Sequence, residues 1–342
     1  MATTLPPTRT TMTAVVKSAP GPEGVDVSTV PVPAVLSGLA CVQVRATGIC
    51  GTDVHVAHDE YGYEAPVVMG HEITGTVVEV GDAADEHWVG RRVACETYFA
   101  TCETCQWCRA GRRNLCPNRR SLGSYEHGGF AEFVVLPVQN LHALPDHLND
   151  VEGALSEPLA CVAQCLLDPP AVQAGDRVLV TGPGAMGQLA AQVALALGAD
   201  VTMTGLDRDA ARLEVAAGLG ITTTTGEVED GAFDVVLECS GSGIAAGIAL
   251  DAVRRGGRYV QVGIFGKPVT LPLDQILYKE LRVSSGFAST PTSWRAAMRL
   301  IETQQVSLAP LVTRQVPLEQ FPQALAAAEN GEGLKTVVVP SA

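Results

Sequence analysis

Four cysteines fall within fifteen residues, Cys102, Cys105, Cys108 and Cys116, in the run CETCQWCRAGRRNLC. Each two-residue gap lets a tight turn aim two sulfurs at a common point, and the longer gap returns a fourth. That convergence suits a tetrahedral Zn²⁺ with thiolates at about 2.3 Å. Four thiolates leave no open coordination position, so the spacing indicates a closed structural zinc; an iron–sulfur cluster is the competing use of four thiolates. Elsewhere a thiol and an imidazole occupy glycine-rich, tightly turning segments, Cys50 in GICGTDVH and His71 in GHEITG. Each alone would be unremarkable.

A third motif handles phosphate. Asp176–Thr181 is a short aliphatic run that leads into Gly182, Pro183, Gly184, Ala185, Met186 and Gly187. The following QLAAQVALALGA keeps apolar residues on one helical face and closes at Gly198; a second strand, Asp200–Thr204, leads to Asp207, 20 residues after Gly187. Strand, glycines, helix, strand and acid in this order form a dinucleotide fingerprint. The first two glycines let the backbone turn and approach a pyrophosphate, the third lets the helix pack on the sheet, and the helix N-terminus presents free N–H groups. Gly182, Gly184, Ala185, Met186 and Gly187 are therefore expected to bind the cofactor. Asp207 would accept hydrogen bonds from the adenosine ribose and repel a 2′-phosphate, which favours NAD; Arg208 and Arg212 leave NADP open. FDVVLECSG, a helix from about Ile244 to Arg254, GRYVQVGIFG and LRVSSGF continue the alternation, with the near-continuous apolar runs of parallel strands buried on both faces. Ser240, Gly263 and Ile264 fall at strand ends, where the ligand crevice of such a sheet lies. Together with this dinucleotide-binding motif, the pair Cys50 and His71 points to a second metal centre that keeps a position open for chemistry.

Composition bounds the remaining classes. The 342 residues are 46% hydrophobic and 18% charged, a core-rich balance that excludes a mainly disordered chain and suggests about two domains. With 23 Lys and Arg against 37 Asp and Glu the net charge is −14, which disfavours nucleic acid and anionic membrane partners. The start, MATTLPPTRTTMTAVV, lacks a secretory pattern, and no apolar run approaches a membrane span, so a cytoplasmic location is expected.

These segments together resemble the zinc-dependent medium-chain alcohol and polyol dehydrogenases, from about Val15 to Val339. GHEITGTVVEVG fits the GHExxGxxxxxG signature, CGTDVH fits the first zinc-ligand segment, and the four-cysteine lobe and the nucleotide fingerprint follow in the family's order. Ser156-Glu157-Pro158-Leu159 is similar to the sorbitol and threonine dehydrogenase branch, because ethanol-type enzymes carry a cysteine where Glu157 stands. The resemblance implies an α/β fold with a GroES-like, partly open β-barrel catalytic domain (1–159 and 309–342) and a Rossmann doubly wound parallel-sheet cofactor domain (160–308). It implies Cys50, His71 and Glu157 as ligands of a catalytic zinc, with Glu72 a direct or exchanging ligand, and Asp53 fixing the tautomer of His71. Thr52 would be the relay hydroxyl and His55 the residue that passes the proton to solvent.

The implied reaction moves a hydride between a secondary alcohol, diol or polyol, or the matching ketone, and NAD. Two zinc ions per chain and a homodimer or homotetramer go with it. The alternatives are an NADP-dependent reductase of the same superfamily and a non-enzymatic zinc module. Tyr61, Tyr63, Tyr125, Glu126 and Phe130 lie on loops expected to border the substrate, with Glu126 or Tyr125 offered to a second hydroxyl. His58, His87, His142 and His147 are expected at the surface, and Cys41, Cys95, Cys161 and Cys165 in the core.

Overall fold

The computed structural model describes residues 10–341; residues 1–9, which open the stretch read for a secretion signal, and residue 342 lie outside the described residues. The chain divides into two compact units, one running to Glu157 and resuming at Val312, the other Pro158–Leu311. The breaks fall two to three residues from the expected 159/160 and 308/309, and the first lies inside a continuous helix, Ser156–Leu167.

The first unit is built on the strand Leu39–Gly48, whose small and β-branched residues are buried along nearly its whole length. It pairs antiparallel with Glu72–Val80 along one edge and with Phe133–Pro137 and Lys335–Val338 along the other. The sheet path runs Leu141–Ala143, Arg92–Cys95, Glu72–Val80, Leu39–Gly48, Lys335–Val338, Val312–Val316. A smaller sheet orders Val25–Pro31, Thr11–Lys17 and Val67–Val68, and an isolated bridge between Ala14 and Ala131 joins it to the segment before Phe133–Pro137. Val42, Val44, Ile73, Val77, Val93 and Leu136 fill one apolar cluster between the strands.

The returning tail is strand, helix, strand, and it is integral to this unit. Its helix, Phe321–Glu329, places Phe321 against Phe130 with ring centroids 4.7 Å apart, both rings fully buried beside Met69 and Val15. Phe130, expected on a substrate-bordering loop, is thus a core residue. Lys17 is also fully buried: its ammonium donates to Gly21 O at 2.7 Å and Ala57 O at 2.8 Å and pairs with Asp59 at 3.0 Å, tying the first strand to the end of the helix Gly51–Ala57.

The second unit is a six-stranded parallel sheet ordered Thr222–Thr224, Asp200–Thr204, Arg177–Thr181, Phe233–Glu238, Val253–Gln261, Arg282–Ser285. The strand order reverses between Arg177–Thr181 and Phe233–Glu238, so loops leaving the carboxyl ends of these two strands diverge and leave a crevice. The helix expected to reach Arg254 is Gly243–Ala252; at Val253 the backbone becomes extended (φ −70°, ψ 133°) and begins the next strand, paired to Phe233.

Because Phe321 is enclosed on all sides, Phe321→Ala should destabilise the first unit by about 3–5 kcal/mol. Urea unfolding monitored by circular dichroism measures this, and an unchanged midpoint would contradict the packing described for the tail.

Candidate functional site

The register of the first unit assembles a metal-ligand set. Gly48 pairs with Glu72, so the chain leaving one strand at Cys50 meets the chain entering the other at His71. Candidate ligand atoms of Cys50, His71 and Glu72 all lie within 4.8 Å of one another. Gly48 is required here, since a Cβ would come within 2.0 Å of Glu72 Oε2. Cys50 is the N-cap of the helix Gly51–Ala57, and the Asp53 carboxylate accepts its backbone N–H at 2.8 Å. The other Asp53 oxygen stands 3.5 Å from His71 Nδ1, leaving Nε2 for a metal. Burial alone would hold the His71 imidazole below its usual range; the Asp53 and Cys50 charges more than reverse this and push it well above. A soft half-buried thiolate with a buried, oriented imidazole and a buried carboxylate fits Zn²⁺.

Two further groups condition this cluster. Lys335, buried on the tail strand, donates to both Glu72 oxygens at 2.7 and 2.8 Å and to Ile49 O at 3.1 Å. Burial works against its charge, but Glu72, Cys50 and Asp53 carry its pKa above the ordinary lysine value. Glu157 stands outside the three-atom cluster, buried, accepting a hydrogen bond from Thr97 Oγ1 at 2.9 Å. Thr52 Oγ1 is 3.8 Å from Cys50 Sγ. His55 is partly exposed, with Nδ1 2.7 Å from Glu60 Oε2.

The four cysteines of the lobe converge as their spacing requires. Cys105 and Cys108 sulfurs are 3.5 Å apart, Cys102 and Cys116 3.6 Å, Cys102 and Cys108 4.0 Å. A tetrahedron with ligands at about 2.3 Å has edges of about 3.8 Å, so this set also fits zinc. Backbone N–H groups of Cys102, Cys105 and Cys108 each point at a sulfur at 3.4 Å. Such donors favour thiolate: the N–H groups of Thr104 and Cys105 bring the Cys102 thiol down to about 6.

In the second unit, Gly182 has φ +89° and a Cβ there would sit 2.7 Å from Ser240 Cα. At Gly187 a Cβ would meet Gly182 O at 2.0 Å, whereas Gly184, the N-cap of the helix Ala185–Ala196, faces open space. This is a cradle in which backbone N–H groups of Gly184, Ala185 and Met186 are approachable by an anion. Beside it Glu238, fully buried, accepts from Thr181 Oγ1 (3.3 Å), Ser240 N (2.9 Å) and hydroxyl, Gly241 N (3.3 Å) and Gln261 Nε2 (2.8 Å). Gln261 also donates to Gly263 O at 2.7 Å, so one carboxylate organises both loops that hold Ser240, Gly263 and the exposed Ile264. Asp207 and Arg208 are exposed on the turn Asp207–Asp209, and Arg212 lies on the next helix.

Comparison with known proteins agrees with this architecture. The family pattern described as "Alcohol dehydrogenase GroES-like domain" matches residues 37–146, and that described as "Zinc-binding dehydrogenase" matches 185–303. A sorbitol dehydrogenase of Halalkalibacterium halodurans is 37% identical over 312 residues, 87% of this chain and 91% of that protein. The chain belongs to the zinc-dependent medium-chain alcohol dehydrogenase family. It is an oxidoreductase with a GroES-like domain and a Rossmann-type domain. A D-arabitol-phosphate dehydrogenase of Enterococcus avium is 33% identical over 96% of this chain and 97% of its own. Among solved structures, a Sinorhizobium meliloti protein described as a zinc-binding dehydrogenase and bound to NADP superposes with a TM-score of 0.88 at 32% identity, over 96% and 99% of the two chains.

Within this dehydrogenase, the structure separates residues that local motifs had grouped. Glu126 is held by Arg120, which also reaches Glu64 at 2.8 Å and Tyr125 O, and the Arg120 guanidinium lies 5.9 Å from the Tyr125 ring centre. The Glu126 carboxylate is thus committed to an ion pair, whereas these contacts engage the Tyr125 backbone and ring face and not its hydroxyl. His142, expected at the surface, is half-buried with Nε2 2.8 Å from Glu96 Oε1. Lys335, Thr97 and Glu238 were not singled out by sequence. For Lys335 the one local sign is a cation beside an apolar strand, and Glu238 reads as one more residue of FDVVLE.

Burial also sorts the thiols outside the clusters. It pushes Cys41 up to about 12 and Cys165 up to about 11, and raises Cys95 still further. All three therefore stay protonated and shielded near neutrality. Iodoacetamide at about pH 8 should leave them unlabelled in the folded protein and modify them once denatured. Peptide mass mapping reads the outcome, and labelling of Cys41 in the native state would contradict its burial.

Proposed function

We propose that this chain interconverts a secondary alcohol, diol or polyol and the corresponding ketone, using a nicotinamide dinucleotide as hydride partner and two zinc ions, one catalytic and one structural. The convergence of Cys50, His71 and Glu72 on one buried point, in a family of dehydrogenases, carries this reading. The sorbitol and arabitol-phosphate dehydrogenases among its relatives support a polyhydroxylated substrate. In this reading the first unit is the catalytic domain and Pro158–Leu311 the cofactor domain.

A zinc held by Cys50, His71 and a carboxylate would supply Lewis acidity that lowers a hydroxyl pKa toward neutrality, and the dinucleotide would supply the hydride acceptor. The protein's own groups do the rest. Asp53 fixes the His71 ring so that one nitrogen faces the metal. Two carboxylates are candidates for the third ligand: Lys335 holds Glu72 by both oxygens, and Thr97 donates to Glu157, so Glu72 joins the metal only by leaving its cation. We assign Glu157 as the resident ligand and Glu72 as the exchanging one, because freeing Glu72 requires separating a buried ion pair. Thr52 is the hydroxyl that takes the substrate proton, and His55, hydrogen-bonded to Glu60 and open to water, is the outlet for it. On the cofactor unit, the N–H groups at Gly184 to Met186 are assigned to the pyrophosphate.

We further propose self-association. The sheet ends on Arg282–Ser285, whose outer edge is unpaired among the described residues; Val283 on it, and Leu277 and Tyr278 on the preceding helix Asp274–Tyr278, are exposed apolar side chains. A second copy adding its own edge strand would satisfy both. A reducing, cytoplasmic setting suits a chain in which five of the ten cysteines are assigned to metals. Among the described residues no helix is long and apolar enough to cross a membrane.

Cys50→Ala should lower the zinc content from about two to about one per chain and abolish turnover, while Cys102→Ser should lose the other zinc together with thermal stability. Metal analysis combined with assays on secondary alcohols, diols and polyols measures both. Full activity in Cys50→Ala would overturn the catalytic assignment. For self-association, Val283→Lys should shift the sedimentation profile toward monomer; an unchanged profile would remove that strand from the interface.

A further inference from the structure

We propose that this chain selects NADP(H) over NAD(H), with Gly205 leaving the space for a 2′-phosphate and Arg208 supplying the charge that binds it. The proposal rests on the assignment of Pro158–Leu311 as the dinucleotide unit and reverses the preference expected from Asp207 alone.

A carboxylate excludes a 2′-phosphate when it stands at the carboxyl end of the second strand, next to the glycine loop, within reach of the ribose hydroxyls. Thr204 ends that strand and is level with Thr181, the residue before the loop; Gly182 N donates to Thr204 O at 3.1 Å. The residue abutting the loop is therefore Gly205. A Cβ built on it would lie 3.0 Å from Pro183 Cγ and 3.2 Å from Cδ. The contact with Pro183 locates Gly205 directly against the phosphate-binding turn, and glycine there brings neither bulk nor negative charge.

Of the acids that follow, Asp209 packs against the same position, its Cβ 3.3 Å from a Cβ built on Gly205, but its carboxylate is engaged within its own turn: Oδ2 accepts Leu206 N–H at 3.0 Å and Oδ1 lies 3.7 Å from the Arg212 guanidinium. Asp207 is exposed, two residues beyond the strand-end position, at the start of the turn Asp207–Asp209. Arg208, adjacent in the same turn, is exposed and makes no hydrogen bond or ion pair among the described residues. An arginine with an uncommitted fork of donors, three residues past a side-chain-free strand end, suits a phosphate dianion, whereas a ribose hydroxyl needs an acceptor at the strand end itself. Asp207 opposes this arrangement by its charge, so removing that charge should strengthen NADP(H) binding if Arg208 is the selecting group.

The test is fluorescence titration of the zinc-loaded full-length protein with NADPH and with NADH, which reads binding without turnover. NADPH is expected to bind at least about tenfold more tightly, with an advantage that shrinks as salt is raised. Arg208→Ala should remove about tenfold of NADPH affinity and leave NADH affinity unchanged, and Asp207→Asn should tighten NADPH. Gly205→Asp should swing the preference toward NADH; because Pro183 crowds that position, Arg208→Ala, at an exposed site, is the decisive variant. Equal or tighter binding of NADH by the unaltered protein, or an equal loss of both cofactors in Arg208→Ala, would overturn the proposal. Binding of neither dinucleotide would instead overturn the assignment of the cofactor unit on which it rests.

Discussion

A buried carboxylate must be paired or neutralised, and in this protein Glu72 is paired by Lys335 across 263 residues of sequence. The pair joins the second strand of the site to the strand that returns at the end of the chain. It explains why the tail belongs to the first unit: without Lys335–Val338, Glu72 would be an uncompensated charge beside the thiol of Cys50 and the ring of His71. It also explains Gly48, since the carboxylate occupies the volume a side chain would need. The apolar clamp of Phe321 on Phe130 and the hydrogen bond from Ile49 N to Thr336 O hold the same strand in place, so packing and charge act in one direction.

The second unit repeats this logic with different chemistry. Among the described residues Glu238 is a buried acid with no cation paired to it, satisfied by backbone N–H groups, hydroxyls and an amide. Two loops at the strand ends are oriented by that requirement. The same principle that makes an unpaired buried charge costly thus converts one carboxylate into a template for two loops. In both units the residue proposed to touch a ligand is positioned by another that touches only protein: Asp53 for His71, and Glu238 for Ser240.

Motifs confined to a short stretch were legible in the sequence. The four cysteines, the glycine loop with its flanking strands, Cys50 with Asp53, and His71 with Glu72 are each separated by few residues, so turn geometry alone brings them together. Glu126 and Phe130 misled for the opposite reason. A loop-like composition says nothing of what approaches from elsewhere, and here Arg120 and Phe321 approach. His142 near Glu96, and Thr97 near Glu157, likewise depend on segments distant in the chain.

The sequence by itself determined the ligand types, the local turns that aim them, the two-domain plan and the membership of the family, because periodicity and spacing encode contacts over roughly a helix turn or a hairpin. Tertiary structure alone decided that Lys335 faces Glu72, that Thr97 faces Glu157 and that Gly205 abuts Pro183 of the glycine turn. Those outcomes follow from strand register and from which buried charge finds which partner, and neither is a property of any short segment.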